Sequence, residues 1–171
     1  GKGGVVGKGG VVGKGGVVME GGVDSMTGAD LVVDDDRPGE GPLAAVATAA
    51  RLRPGRRLLV AACDLPLLDP AEVRALLARP STDTDVLVPE VDGRPQWSCA
   101  AVGAGAAAAL GEVVAAGERA LGPGFARAGR VVVVPVAPGA GWSDADRPED
   151  LPPGWTAGGD PPVRRERRAP G

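Results

Sequence analysis

The chain has 171 residues, among them 29 glycines and 17 prolines, with a formal net charge of −3; this length suits one domain. Glycine and proline at this density touch the low-complexity range, yet 43% of the residues are hydrophobic, so a core is possible where the two are unevenly spread. The absence of histidine excludes a Ser-His-Asp triad, a histidine base and a histidine metal site.

Cys63 and Cys99 stand far apart without a CxxC, which excludes a zinc cage and a dithiol redox motif. The charge is also unevenly spread. Residues 19–163 hold 21 acidic residues against 12 arginines, while the three lysines lie in the first 18 residues and Arg164, Arg165, Arg167 and Arg168 lie in the tail. A body that acidic is a poor non-specific partner for nucleic acid. No apolar run approaches a membrane span and no signal peptide is visible, so a cytoplasmic location without a membrane partner is expected. Chemistry at such a site falls to carboxylates, backbone groups and an oxygen-liganded metal.

Residues 1–18 are GKGGVV three times over. The Walker pattern needs Ser or Thr after its Lys, and here each Lys precedes Gly; Lys2–Lys8 (KGGVVGK) carries one valine too many for the variant loop KGGVGK. The composition predicts a flexible lead without stable structure. The expected organisation is therefore a repeat and linker over 1–28, a folded part over 29–152 and a disordered Pro/Gly/Arg-rich tail over 153–171. The chain has no Ile, Asn or Tyr, keeps every Lys inside the repeat and starts with Gly. These features point to a fragment behind a tract foreign to the original domain.

From Ala29 the elements become readable. Leu31–Val33 is strand-like and runs into Asp34-Asp35-Asp36. Gly41-Pro42 opens a helix, with proline preset for the first position; Leu43, Val46, Ala47 and Ala50 make its apolar stripe, and Arg53-Pro54-Gly55 stops it. Leu58–Cys63 is a buried strand ending abruptly at Asp64. Asp69 caps a second helix with Pro70 at its first position and Glu72 reaching back. A strand follows at Val86–Val88, then Asp92-Gly93, then a further, antiparallel-type strand within Trp97–Val102. Gly105–Ala116 reads as an Ala-rich helix facing inward through Leu110, Val113 and Val114. Val131–Val136 is the last strand, with Pro135 marking an end or an edge, and Pro148–Leu151 starts a helical turn.

This alternation is that of an open α/β sheet with parallel strands and flanking helices. Ligands of such sheets sit beyond the carboxyl ends of the strands, which gathers Asp34–Asp36, Asp64, Asp144 and Asp146 on one rim. Asp64 is placed either to hold a divalent ion against a phosphate or to cap the turn at Leu65-Pro66. Asp34–Asp36 read as a solvated turn or as the start of an anion-binding loop through Gly39-Glu40-Gly41-Pro42. Asp144 and Asp146 can face one point if extended, with an N-cap as the other account of Asp146.

Together, VVDDDRPGEGPL (Val32–Leu43), LLVAACDLPLLDP (Leu58–Pro70), DGRPQ (Asp92–Gln96), AAGER (Ala115–Arg119) and DADRPEDL (Asp144–Leu151) form a series that resembles the molybdenum cofactor guanylyltransferases of the MobA-like nucleotidyltransferase superfamily. The resemblance spans about Ala29 to Pro152. It implies a Rossmann-like, mostly parallel sheet and transfer of GMP from GTP to molybdopterin with Mg²⁺ and release of pyrophosphate. Asp64 then matches the acid that binds both metal and nucleotide. Asp35 matches the acid near the GPL loop that contacts GTP, with Asp34 and Asp36 as register alternatives, and Gly41 and Pro42 shape the nucleotide side. Asp144 and Asp146 match the late pair near metal and pterin, which makes Asp64, Asp144 and Asp146 the metal set and Asp64 and Asp146 the catalytic pair. Such transfer needs positioning and charge neutralisation, not a histidine.

Members of that family open with a strand and an LAGGxSxRMGxDK loop that grips the triphosphate, and residues 1–28 do not supply it. The first strand, helix and second strand of the family fold are thus expected to be missing. The chain as given is expected to be inactive and to bind GTP weakly or not at all. The same fold would also serve a molybdopterin cytidylyltransferase, a sugar-phosphate nucleotidyltransferase or a non-catalytic binding domain.

Overall fold

The computed structural model describes residues 4–7, 10–13, 16–19, 31–33, 40–62, 65, 67–137 and 140–142. Its first three strands are β1 (Gly4–Gly7), β2 (Gly10–Gly13) and β3 (Gly16–Met19), one for each GKGGVV unit. This overturns the expectation of no stable structure over 1–18. Valine is β-branched and favours the extended backbone. Gly7 pairs with Gly10 and Gly13 with Gly16, so two residues join each pair of strands, the commonest hairpin length. A composition argument averages those valines away.

Beyond the repeat come β4 (Leu31–Val33), α1 (Pro42–Leu52), β5 (Leu58–Ala61), α2 (Pro70–Leu77), β6 (Asp85–Val91), β7 (Arg94–Pro95) and β8 (Cys99–Val102). The chain then forms α3 (Ala104–Ala115), α4 (Leu121–Ala128), β9 (Arg130–Pro135) and a 3-10 turn at Ala140–Trp142. Each helix predicted from the stripes over Gly41–Leu52, Asp69–Leu77 and Gly105–Ala116 is present. Asp69 caps α2 as expected, its carboxylate accepting from the Ala71 N–H at 2.7 Å. Glu72 does not reach back; its carboxylate lies beside Gly141.

The sheet order is β4-β1-β2-β3-β5-β8-β6, with β7 and β9 both paired to β6. The α/β architecture stands, with helices on both faces. The four strands expected from the sequence to be parallel, β4, β5, β6 and β9, all run in one direction. Between them, however, β1, β3 and β8 run the other way, so among the described strands only β6 and β9 are direct parallel neighbours. The antiparallel placing of β8 is as expected. The repeat strands fill the space between β4 and β5, and β3 covers the β5 edge through Val17–Ala61, Val18–Val60 and Met19–Leu59.

Strand alternation sorts the core into two layers. Leu58, Val60, Val86, Val88, Ala100 and Val102 face α1, α3 and α4, where Leu43, Val46, Leu110 and Phe125 meet them. On the opposite face Leu59, Ala61 and Cys99 pack with Val73 of α2 and with Trp142, and Leu87 and Ala101 with Leu76. Among the described residues no helix is long and apolar enough to cross a membrane.

Candidate active site

The carboxyl ends of β4, β5, β6 and β9 share one rim. The ladder sets Val33 beside Gly4, Gly13 beside Gly16 and Val17 beside Ala61, so β4 and β5 arrive there at nearly one level. On the far side Glu90 stands beside Pro135. Asp34, Asp35 and Asp36 follow β4 in the sequence and Asp64 follows β5; these four and Asp144 and Asp146 lie outside the described residues. The strands that lead to them end together, and Trp142, two residues before Asp144, is buried in the same apolar cluster as Ala61 and Leu68 beside the end of β5. Among the described residues no group of three or more His, Cys, Asp or Glu gathers as a metal site.

Gly41 and Pro42 are described, and they open α1. Pro42 is the first residue of α1 and Gly41 its cap, at a φ of 88°. Only glycine adopts that backbone readily, and space also demands it: a Cβ at Gly41 would lie 3.1 Å from the Arg119 carbonyl oxygen. Leu43 N–H, an orphan donor of the first helical turn, donates to that same oxygen at 3.4 Å. Thus GPL and AAGER, distant in the sequence, meet at the rim.

The AAGER segment has a physical account residue by residue. Ala115 closes α3 and Gly117, at a φ of 95°, takes the left-handed turn that ends it. Gly117 N–H donates to the Val114 carbonyl at 3.0 Å and Glu118 N–H to Val113 at 3.2 Å, which is the Schellman arrangement. The Glu118 carboxylate accepts from Arg119 N–H at 2.9 Å and from Ala120 N–H at 3.1 Å, where α4 begins. Those backbone donors, Ala120 first, hold the Glu118 carboxyl below its ordinary range, with Arg127 at 3.5 Å adding to them. Arg119 then turns its guanidinium to Glu40 at 3.2 Å.

DGRPQ is the hairpin at the rim end of β6. Asp92 and Gly93 have φ values of 48° and 75°, the signature of a two-residue primed turn. Gln96 N–H closes the segment onto the Pro89 carbonyl at 2.8 Å. Trp97 packs its indole on Gly122, where a Cβ would come within 3.0 Å of the ring. Cys99 is no nucleophile: burial pushes its thiol up to about 12. A cavity of about 460 Å³, lined by Ala47, Ala50, Arg51, Ala104, Ala108 and Gly111, lies between α1 and α3. It opens where α1 ends and α3 begins, away from the rim.

Sequence reasoning named Gly41 and Pro42 but overlooked Arg119 as a partner of that loop. Gly117 after an alanine-rich run signals a helix end. The long-range contact to Gly41 leaves no local mark.

The sequence profile of the MobA-like NTP transferase domain family matches residues 20–136, starting directly after β3. The chain belongs to this family. Its matches among curated proteins include a probable molybdenum cofactor guanylyltransferase of Carboxydothermus hydrogenoformans, 44% identical over 63 residues, or 37% of this chain and 32% of the relative. A molybdenum cofactor guanylyltransferase of Pseudomonas syringae pv. syringae is 47% identical over 51 residues, 30% of this chain and 25% of that protein. A probable one of Bacillus licheniformis is 37% identical over 67 residues, 38% of this chain and 34% of its own length. The chain thus spans about a third or less of the curated relatives it matches. The match to the MobA-like domain includes Asp35, Gly41, Pro42 and Asp64, and it ends before Asp144 and Asp146.

Proposed function

We propose that this MobA-like domain serves transfer of GMP from GTP to molybdopterin, with release of pyrophosphate, in molybdenum cofactor biosynthesis. The observation that carries this reading is the meeting of the Glu40–Leu43 loop with the Glu118–Arg119 turn at the rim where four co-directional strands end. The names of the relatives favour guanine and molybdopterin over the other nucleotides and acceptors.

Asp64 is the acid proposed to hold Mg²⁺ and nucleotide together, with Asp144 and Asp146 completing the metal set and Asp146 acting with Asp64 in catalysis. The donor set fits a hard divalent ion, since all its ligand atoms are carboxylate oxygens. The ion, when bound, neutralises charge on the phosphate being transferred. Asp35, Gly41 and Pro42 form the nucleotide side; Gly41 leaves room there because it carries no Cβ. A cytoplasmic location accords with these substrates.

The test is pyrophosphate release with Mg²⁺, molybdopterin and a panel of nucleoside triphosphates. It is run on the chain as given and on the chain with a relative's LAGGxSxRMGxDK segment joined before Ala29. GTP turnover is expected with that segment and little without it. Asp64→Asn should lower turnover by several orders of magnitude while the circular dichroism spectrum stays unchanged. Preference for CTP would overturn the guanine assignment. An Asp64→Asn variant with near-normal turnover would return Asp64 to a capping role.

A further inference from the structure

We propose that Arg119 is a positioning residue: it clamps the Glu40–Leu43 loop in the shape that faces the nucleotide. This rests on the nucleotidyltransferase reading above. α1 begins without a side-chain cap and without an acidic residue in its first turn, so its leading N–H groups need another partner. The Arg119 carbonyl provides one, accepting from Leu43 at 3.4 Å. The guanidinium of the same residue ties that carbonyl in place. Its Nη1 donates to the Val114 carbonyl at 2.8 Å and the Glu118 carbonyl at 2.9 Å, and its Nη2 pairs with Glu40 at 3.2 Å.

One residue thus fastens the carboxyl end of α3 to both ends of the loop that opens α1, Glu40 through its guanidinium and Leu43 through its carbonyl. At its other end α3 is anchored to the sheet, because Gly105 N–H and Ala106 N–H donate to the Asp83 carbonyl at 2.8 and 3.1 Å, just before β6. The clamp therefore passes the position of β6 to the loop through a rod of 12 residues. Gly41 completes the fit, since any side chain there would press on the Arg119 carbonyl. Group transfer is sensitive to displacements of about 1 Å. Lysine cannot replace the fork, because it lacks the planar donors that reach two carbonyls and a carboxylate together.

The experiment compares the full chain with Arg119→Ala, Arg119→Lys and Glu40→Gln. Amide exchange along the chain and a titration of Mg²⁺ with GTP, followed by amide shifts into the millimolar range, are read for each. Arg119→Ala should speed exchange at Leu43 and Ala44, leave β5 and β6 protected, and weaken GTP binding about tenfold. Arg119→Lys should rescue only part of either effect. Glu40→Gln keeps both carbonyl bonds and removes an exposed pair of small worth, so its effect should be about threefold or less. Unchanged exchange at Leu43 in Arg119→Ala would overturn the clamp. Faster exchange with unchanged GTP affinity would reduce Arg119 to a cap of α3 and overturn the positioning role. Full recovery of affinity in Arg119→Lys, with exchange still fast, would make it a direct charge contact instead. If GTP shifts no rim amide in the wild-type chain or in the chain carrying the LAGGxSxRMGxDK segment, the nucleotidyltransferase reading itself fails, with the clamp still decided by exchange at Leu43.

Discussion

Asp85 opens β6 at 1% exposure and keeps its charge because both its oxygens are gripped. Arg130 donates from Nε at 2.8 Å and from Nη2 at 2.9 Å, and Thr82 N–H donates at 2.8 Å. The Arg130 bonds, before all other causes, hold the Asp85 carboxyl well below the usual carboxylate range. Because Asp85 pairs with Arg130 in the β6–β9 ladder, the ion pair also marks the register of the parallel pair. The sign of the pH dependence follows from linkage. A carboxyl depressed in the folded state contributes stability above its ordinary value and loses it as pH falls from there toward the folded value. Asp85→Asn should therefore melt below wild type at neutral pH, and the gap in Tm should close as pH drops below about 4. Thermal melts over a pH series check this; a gap constant with pH would assign the loss to packing instead. Neither residue drew notice in the sequence, because the partners are 45 positions apart and a lone Asp before valines looks like any turn acid.

At the scale of elements, α4 shows why breaker residues mislead. Leu121-Gly122-Pro123-Gly124 holds three breaker residues, yet it begins a helix of eight residues. Pro123 falls in the first turn, where its missing N–H is not needed. The two glycines serve contact. A Cβ at Gly124 would collide with the Leu43 side chain and one at Gly122 would meet Trp97; meanwhile Phe125 is fully buried in the core shared with α1 and α3. Gly124→Ala raises helix propensity, so by local rules it should stabilise. Overpacking decides otherwise, and a loss of about 1–3 kcal/mol is expected in denaturant unfolding. A stabilised variant would show that Leu43 yields easily and that α4 sits loosely on α1. The pair Gly124–Leu43 again joins the AAGER side of the rim to the GPL loop, in support of the clamp at Arg119.

For the whole molecule, the repeat matters most. β1, β2 and β3 stand between β4 and β5, so the ladder edge of β5 is paired on both sides, by β3 and by β8. Removing residues 1–19 would leave β4 without its β1 partner and lay open the N–H and C=O groups of Leu58–Ala61, an edge that templates association. The deleted chain should melt at lower temperature and elute in part as aggregates, as thermal melts and size-exclusion chromatography will show. An unchanged elution profile and Tm would mean that the repeat contributes nothing to the sheet. The repeat strands lie outside the residues that match the MobA-like domain, so this prediction is independent of the family's own chemistry.

Local chemistry was enough for α1, α2 and α3, since a proline at the first helical position, an Asp cap and spaced apolar residues act within a few positions of each other. It was enough, too, for the direction of β4, β5, β6 and β9 and for the motif series that marks the family. Tertiary structure alone decided how those strands neighbour one another, because pairing depends on which edges remain open and not on any strand's own residues. It turned the valines of a glycine-rich repeat into three strands, made a helix of Leu121–Ala128 and set Arg119 against Gly41. These last contacts join groups far apart in the chain. Their stabilisation comes from burial and hydrogen bonds that exist only once α1, α3 and α4 have met on one face of the sheet.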